Sequence, residues 1–336
     1  MDAAKKIAEA VLYEGYLLWP YRRSARKNQQ RWTFGGVYPR EYSVARGEDD
    51  PWIMQTQCLV SGDEGSTIEV KIRFLHVVER KVGKKIGEAL QYVDELRIGG
   101  ERYLAWDEAA EREVAAGRFE LSELLASPEK VEIDIAGGST QAPLAEAAGE
   151  VAGALVRSWR PLRGAVEVRA ERLQEGTFRV TARITNTTPW SGEDRESTLR
   201  QTFVSTHTTL YVAAGEFVSL IDPPEELSAA AEGCENLKTW PVLVGEEGER
   251  STMLSSPIIL YDYPQIAPES PGDLFDGTEI DQMLILNVLN LTDEEKEEMR
   301  ASDPRGREIL ERCESLSPEE LMKLSGTFRE IRMLRE

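Results

Sequence analysis

Between Ile68 and Val78 the apolar residues Ile68, Val70, Ile72, Phe74 and Val78 hold the even positions, while Glu69, Lys71 and Arg73 face the other way. A period of two places alternate side chains on opposite faces of an extended chain, so the segment predicts a strand with one buried face. The run from Trp52 to Val60 reaches it across Ser-Gly-Asp-Glu-Gly-Ser, turn chemistry that predicts a hairpin with Cys58 beside Val70 and Trp52 beside His76. A second hairpin is written at Gly99-Gly100, where both residues can take positive φ, and a third at Glu175-Gly176. Residues 130–138, 199–221 and 256–264 supply further strand patterns.

The two ends of the chain carry a different period. Ala4, Ile7, Ala8, Val11, Leu12, Leu18 and Trp19 form one stripe at helical spacing that stops at Pro20, which predicts an amphipathic helix. From Asp273 onward Thr278 and Asp281, Thr292 and Glu295, and Ser317 and Glu320 have capping-box spacing, and Asp303-Pro304 fits an N-cap followed by proline in the first turn. A last helix would place Leu321, Leu324, Phe328 and Ile331 on one face. The Ala-, Glu- and Gly-rich stretch 141–153 has the composition of a domain boundary. The expected fold is therefore α+β and β-rich: an N-terminal helix and basic aromatic segment (1–46), two antiparallel sandwich- or barrel-like units (47–140 and 154–272), and C-terminal helices (273–336).

Composition keeps this picture within ordinary globular limits, with 41% hydrophobic and 30% charged residues in 336. Cys58, Cys234 and Cys313 are widely separated and odd in number, the usage of a reducing compartment. Glu9 and Glu14 interrupt any apolar signal core, and the most apolar run, 283–291, contains Asn287 and Asn290, so a soluble, cytoplasmic protein is expected. Charge adds a polarity. Residues 1–46 carry nine Lys/Arg against four Asp/Glu, or +5, so the remainder of a chain of net −20 carries −25. Residues 222–281 hold fourteen acids and two bases, Lys238 and Arg250. A body this negative disfavours general nucleic-acid binding.

Histidine-dependent chemistry must pass through His76 or His207. His76 continues the apolar face of its strand, and His207 lies among hydroxyls without a Gly-x-Ser-x-Gly elbow, so packed structural histidines are the simpler reading. Five scattered Cys and His residues do not compose a zinc site. Asp273, Asp276, Glu279 and Asp281 cluster around Gly277, but the spacing departs from an EF-hand loop and helix capping explains part of it. A carboxylate-based or metal-dependent hydrolase using Asp276 with His207 is one alternative function. No phosphate-binding loop is present, and no cofactor is expected.

The most unusual composition lies in residues 19–46, where aromatics alternate with bases. Trp19, Tyr21, Arg22, Arg23, Arg26, Lys27, Arg31, Trp32 and Phe34 are the candidate interaction residues. They suit a protein partner or stacking on single-stranded nucleic acid, and they equally suit packing on the chain's own acidic half.

Two strings carry a resemblance: Val-Leu-Tyr-Glu-Gly-Tyr-Leu-Leu-Trp-Pro-Tyr-Arg-Arg, opening residues 11–42, and Leu-Phe-Asp-Gly-Thr-Glu-Ile-Asp-Gln-Met-Leu, opening residues 274–312. They cover about a fifth of the chain and resemble uncharacterised accessory proteins encoded in nickel-iron hydrogenase gene clusters of the actinobacterial type. The resemblance implies a setting, hydrogenase biogenesis or assembly, with a hydrogenase subunit or maturation factor as partner. It implies no catalytic residues. The chain lacks the clustered cysteines of a hydrogenase metal or iron-sulfur subunit, and Cys313 lies at helical spacing from Ile309, as a buried cysteine on a docked helix would.

Overall fold

The computed structural model describes residues 7–9, 11–14, 16, 21–25, 28, 34–47, 49–147, 149–265 and 281–317. Its strands are β1 (Ile53–Ile86), β2 (Ala89–Val93), β3 (Glu95–Ile98), β4 (Glu101–Leu104), β5 (Trp106–Glu120), β6 (Glu129–Ile135), β7 (Gly138–Ala145), β8 (Val151–Trp159), β9 (Leu162–Gln174), β10 (Thr177–Asn186), β11 (Val204–Val218), β12 (Trp240–Leu243) and β13 (Thr252–Ser256). The helices are α1 (Arg40–Arg46), α2 (Leu121–Ala126), α3 (Arg195–Leu199), α4 (Ser228–Glu232), α5 (Asp281–Leu289), α6 (Asp293–Ser302) and α7 (Pro304–Ser315).

The fold is organised by β1. One of its edges pairs in turn with β10, β5 and β2, and the other with β11 and β8, all antiparallel. Strands from both predicted β-rich stretches thereby join one 11-stranded sheet, of order β12-β13-β11-β1-β10-β9-β6 with further strands branching from β1, and it does not close into a barrel. The separate β3–β4 hairpin turns at Gly99 and Gly100, both at positive φ, as their sequence requires. The β9–β10 hairpin turns at Gly176, also at positive φ. The stretch 141–153, read as a boundary by composition, lies within the β7–β8 hairpin.

The predicted hairpin between 52–60 and 68–78 does not form. β1 runs straight through the Ser-Gly-Asp-Glu-Gly-Ser segment and keeps β11 as its partner on both sides, from Gly62 opposite Gly215 to Thr67 opposite Ala213. Residues 63–66 are a bulge: Asp63 Oδ1 accepts the Gly65 amide at 2.9 Å, and Ser66 Oγ donates to the Ala214 carbonyl at 2.5 Å. These side chains satisfy the local backbone and let the strand resume in its original direction. Cys58 is opposite Val180 rather than Val70, Trp52 receives the Asn186 amide, and His76 is opposite Ala110. The strand read at 256–264 is also displaced, to Thr252–Ser256, because Pro257 has no amide with which to extend the ladder.

Alternation nevertheless builds the core. Met54, Cys58 and Val60 before the bulge, and Ile68, Val70, Ile72 and Phe74 after it, enter one cluster with residues of β5, β6, α2, β9, β10, β11, β12 and β13. Strands at opposite ends of the order, β6 and β12, contribute Ile133 and Leu243 to that cluster, so the sheet folds over on itself. Leu75 and Val77 point the other way, into a second cluster with Leu12, Tyr13, Tyr16, Tyr21, Tyr38 and Tyr42 and with Leu284, Met299 and Ile309 of the C-terminal helices. The predicted caps hold α6 and α7: Thr292 and Glu295 exchange the two capping-box bonds, and Asp303 Oδ1 accepts the Arg305 amide ahead of Pro304. Thr278, Glu320 and the predicted last helix lie outside the described residues.

Candidate functional site

His207, on β11, is buried with its ring between two fixed partners. Nδ1 lies 2.8 Å from the Ser205 carbonyl, which only accepts, so Nδ1 carries the proton. Nε2, 3.2 Å from Ser256 Oγ, therefore accepts from that hydroxyl. Burial, reinforced by the charge of Arg73, lowers the His207 pKa to about 4, with the Ser205 carbonyl acting in the opposite direction. This is a nucleophile-base distance in a place no substrate reaches, since Ser256 is wholly buried. Several neighbouring hydroxyls are committed elsewhere: Ser205 Oγ donates to the Leu12 carbonyl, and Thr56 and Thr239 both meet Ser255 at 2.7 Å, while buried Thr208 Oγ1 has no partner among the described residues.

His76 is as deeply buried. Arg112 Nε donates to its Nδ1 at 3.4 Å, which places the ring proton on Nε2, where it makes no hydrogen bond among the described residues. Burial first, then the Arg112 charge, lowers its pKa to about 4, offset in part by the Arg160 backbone. Both histidines are thus neutral at physiological pH.

The cysteines are free thiols. Burial raises the Cys58 pKa strongly, moves Cys313 to about 11 and raises Cys234, so none is held as a reactive thiolate. Cys313 sits in the apolar cluster beneath α7, as its spacing from Ile309 predicts. Among the described residues no group of three or more His, Cys, Asp or Glu is arranged to hold a metal ion. Asp273, Asp276 and Glu279, on which the hydrolase alternative is built, lie outside those residues.

Of the basic aromatic segment, residues 22–24 are bound mainly to the chain's own C-terminal helices. Tyr21 is fully buried, and Arg22 pairs with Glu295 at 2.9 Å. Arg23 reaches Asp94, and its amide donates to Ser302 Oγ. Ser24 gives both its amide and its hydroxyl to Glu298. Phe34 is exposed. Trp19, Arg26, Lys27, Arg31 and Trp32 lie outside the described residues.

The same segment ends in α1, and there an apolar groove of about 510 Å³ opens. Pro39 starts the helix, Gly47 at positive φ ends it, and the Tyr38 amide bonds to the Pro51 carbonyl, folding the helix back onto the start of β1. A reciprocal backbone pair between Gln55 and Leu237 brings in the opposite wall. Val44, Pro51, Trp52, Ile53, Leu237 and Lys238 line the groove. Val44 is 73% exposed and Leu237 45%. Arg40 stacks 4.8 Å above Trp52, and neither Arg40 nor Lys238 forms an ion pair among the described residues. The candidate site is thus an apolar floor with a cation on either wall. Sequence reasoning included Arg40 and Val44 in its unusual segment and passed over Trp52 and Leu237; an apolar valine within a short, otherwise polar helical stretch was the available signal.

No family model matches the chain, and no curated protein matches it.

Proposed function

We propose that the protein is a non-enzymatic accessory factor that acts by binding another protein, and that its partner belongs to nickel-iron hydrogenase biogenesis. The observation that carries the binding role is the groove at α1: large apolar side chains remain exposed over a concave floor, and two cations beside them are unneutralised. Contiguous exposed apolar surface of this kind is costly in water and is characteristic of contact sites. An inserted aromatic or aliphatic side chain would cover Trp52 and Leu237, and a neighbouring carboxylate would meet Arg40 or Lys238. The hydrogenase setting is supported by the resemblance of residues 11–42 and 274–312 alone.

The test is site-specific photocrosslinking in the native host from a crosslinker placed at Val44 of the tagged full-length chain. Capture of a hydrogenase subunit or maturation factor, abolished by Leu237→Asp, is the expected result. Crosslinks to no such protein, together with unchanged hydrogenase activity on deletion of the gene, would sink the proposal.

A further inference from the structure

The far end of β1 carries a second exposed surface, 31 residues along the strand from the Gln55–Leu237 contact that forms the groove wall if counted to Ile86. There β1 turns at Gly87, at positive φ, into β2, and Lys84, Lys85 and Ile86 stand at the tip. Among the described residues β2 is an edge strand whose only strand partner is β1. Its sequence, Ala-Leu-Gln-Tyr-Val, has no charge, no proline and no glycine, in a chain of which 30% of residues are charged. Edge strands that must stay unpaired are normally guarded by charges, proline or a bulge, and this one has none of these.

Register identifies the open face. Residues directly opposed across antiparallel strands share a face, so Tyr92 lies beside Gly83, Leu90 beside Lys85, and Lys81 beside Val156 of β8. Tyr92 is 55% exposed, with the Lys81 ammonium 5.7 Å from its ring; Lys84 and Ile86 alternate with Lys85 and so stand on the other face, at the hairpin tip, where Ile86 is 55% exposed. The opposite face is covered, since a side chain at Gly153 would strike Leu96 and Ile98 of the β3–β4 hairpin. Lys81 pairs with Glu79, whereas Lys84 and Lys85 have no carboxylate partner among the described residues.

We infer that β2 is a strand-addition site for an extended, acidic segment of a partner protein. The open edge supplies main-chain hydrogen bonds, Leu90 and Tyr92 supply an apolar row for alternate side chains, and Lys85 on that face, with Lys84 exposed on the other side of the same tip, selects carboxylates. Charge sets the sign of the partner: on a body of net −20, an acidic segment is favoured only where unpaired bases are exposed, as Lys84 and Lys85 are. A nucleic acid would need a longer basic track than two free lysines, and the uncharged edge offers it nothing. This inference stands independently of the groove at α1.

The probe is a fluorescein-labelled peptide of alternating Asp/Glu and Val, eight residues long, titrated against the full-length protein beside its Lys-for-acid counterpart and a single-stranded oligothymidine. In a two-residue hairpin the residues flanking the turn are hydrogen-bonded to each other, so the amides of Leu90 and Tyr92 face outward. Binding of the acidic peptide, protection of those two amides from hydrogen exchange, and an affinity loss of about ten-fold or more in Lys84→Glu/Lys85→Glu are expected. Leu237→Asp should leave this binding unchanged, which separates it from the groove. The inference is overturned by absence of acidic-peptide binding, by preference for the basic peptide or the oligonucleotide, by binding without protection of residues 89–93, or by a charge-reversed variant that binds within two-fold of the parent. Concentration-dependent protection of 89–93 without peptide would overturn it in favour of pairing with a second copy of the chain.

Discussion

The sheet interior and the terminal cap are both buried, but they are held by different forces. The interior is aliphatic and phenylalanine-rich, with Phe74 against Phe203 at 4.7 Å between centroids, and its cohesion is non-directional packing. The cap includes tyrosines and a tryptophan whose polar tips meet carboxylates, one of them the buried Asp303. Tyr16 donates to Asp303 Oδ2 at 2.5 Å, Trp106 Nε1 to the same oxygen at 3.2 Å, and Tyr13 to Glu111 at 2.7 Å, while Arg305 lies 3.4 Å over the Tyr13 ring. Arg80, buried, donates to the carbonyls of Ala301 and Ser302 at the end of α6, where a cation is favourable. The cap therefore needs residues 12–42 and the C-terminal helices in register at once.

The difference can be broken from either side. Phe74→Ala should have the largest effect, about 3–5 kcal/mol, and because the cap rests on the sheet, chemical denaturation should show both regions melting together at lower denaturant. Asp303→Ala removes the acceptor of two buried donors and the N-cap of α7, for about 2–4 kcal/mol. Here hydrogen exchange should rise in α6, α7 and around Tyr16 while β9 and β10 stay protected. Equal acceleration in both regions would contradict the distinction. Acid should act on the seam between them, where His207 sits on β11 beside the Ser205–Leu12 bond. Its pKa is about 4 when folded, so below the unfolded value near 6.5 the unfolded chain binds a proton that the folded one refuses. The contribution of this histidine to stability is complete above that value, declines as pH falls towards 4, and is flat below. His207→Gln should remove up to roughly 3 kcal/mol of this pH dependence, leaving the contribution of His76, which has the same sign.

The seam shows how legibility depends on distance along the chain. The turn glycines at 99, 100 and 176, the capping box of Thr292 and Glu295, and the Asp303-Pro304 helix start are all satisfied within a few residues, and all are visible in the string. The bulge at 63–66 uses the same turn residues as a hairpin would, and only its bond to Ala214 decides that the strand continues. The candidate groove lies between these cases: Arg40 and Val44 belong to a segment whose composition is conspicuous, but Trp52 and Leu237 become its floor and wall only through the Gln55–Leu237 contact.

The sequence by itself determined which faces are apolar, where most turns fall and where α6 and α7 begin, because period, positive φ and capping are local properties of the backbone. It also marked the segment 19–46 as unusual. Tertiary structure alone decided what that segment does with its charges. Arg22 and Arg23 spend theirs on Glu295 and Asp94, whereas Arg40 stacks on Trp52 beside an open groove. An ion pair is chosen by proximity in space, and sixty acidic residues offer every base a partner in sequence but only the nearest one in the fold.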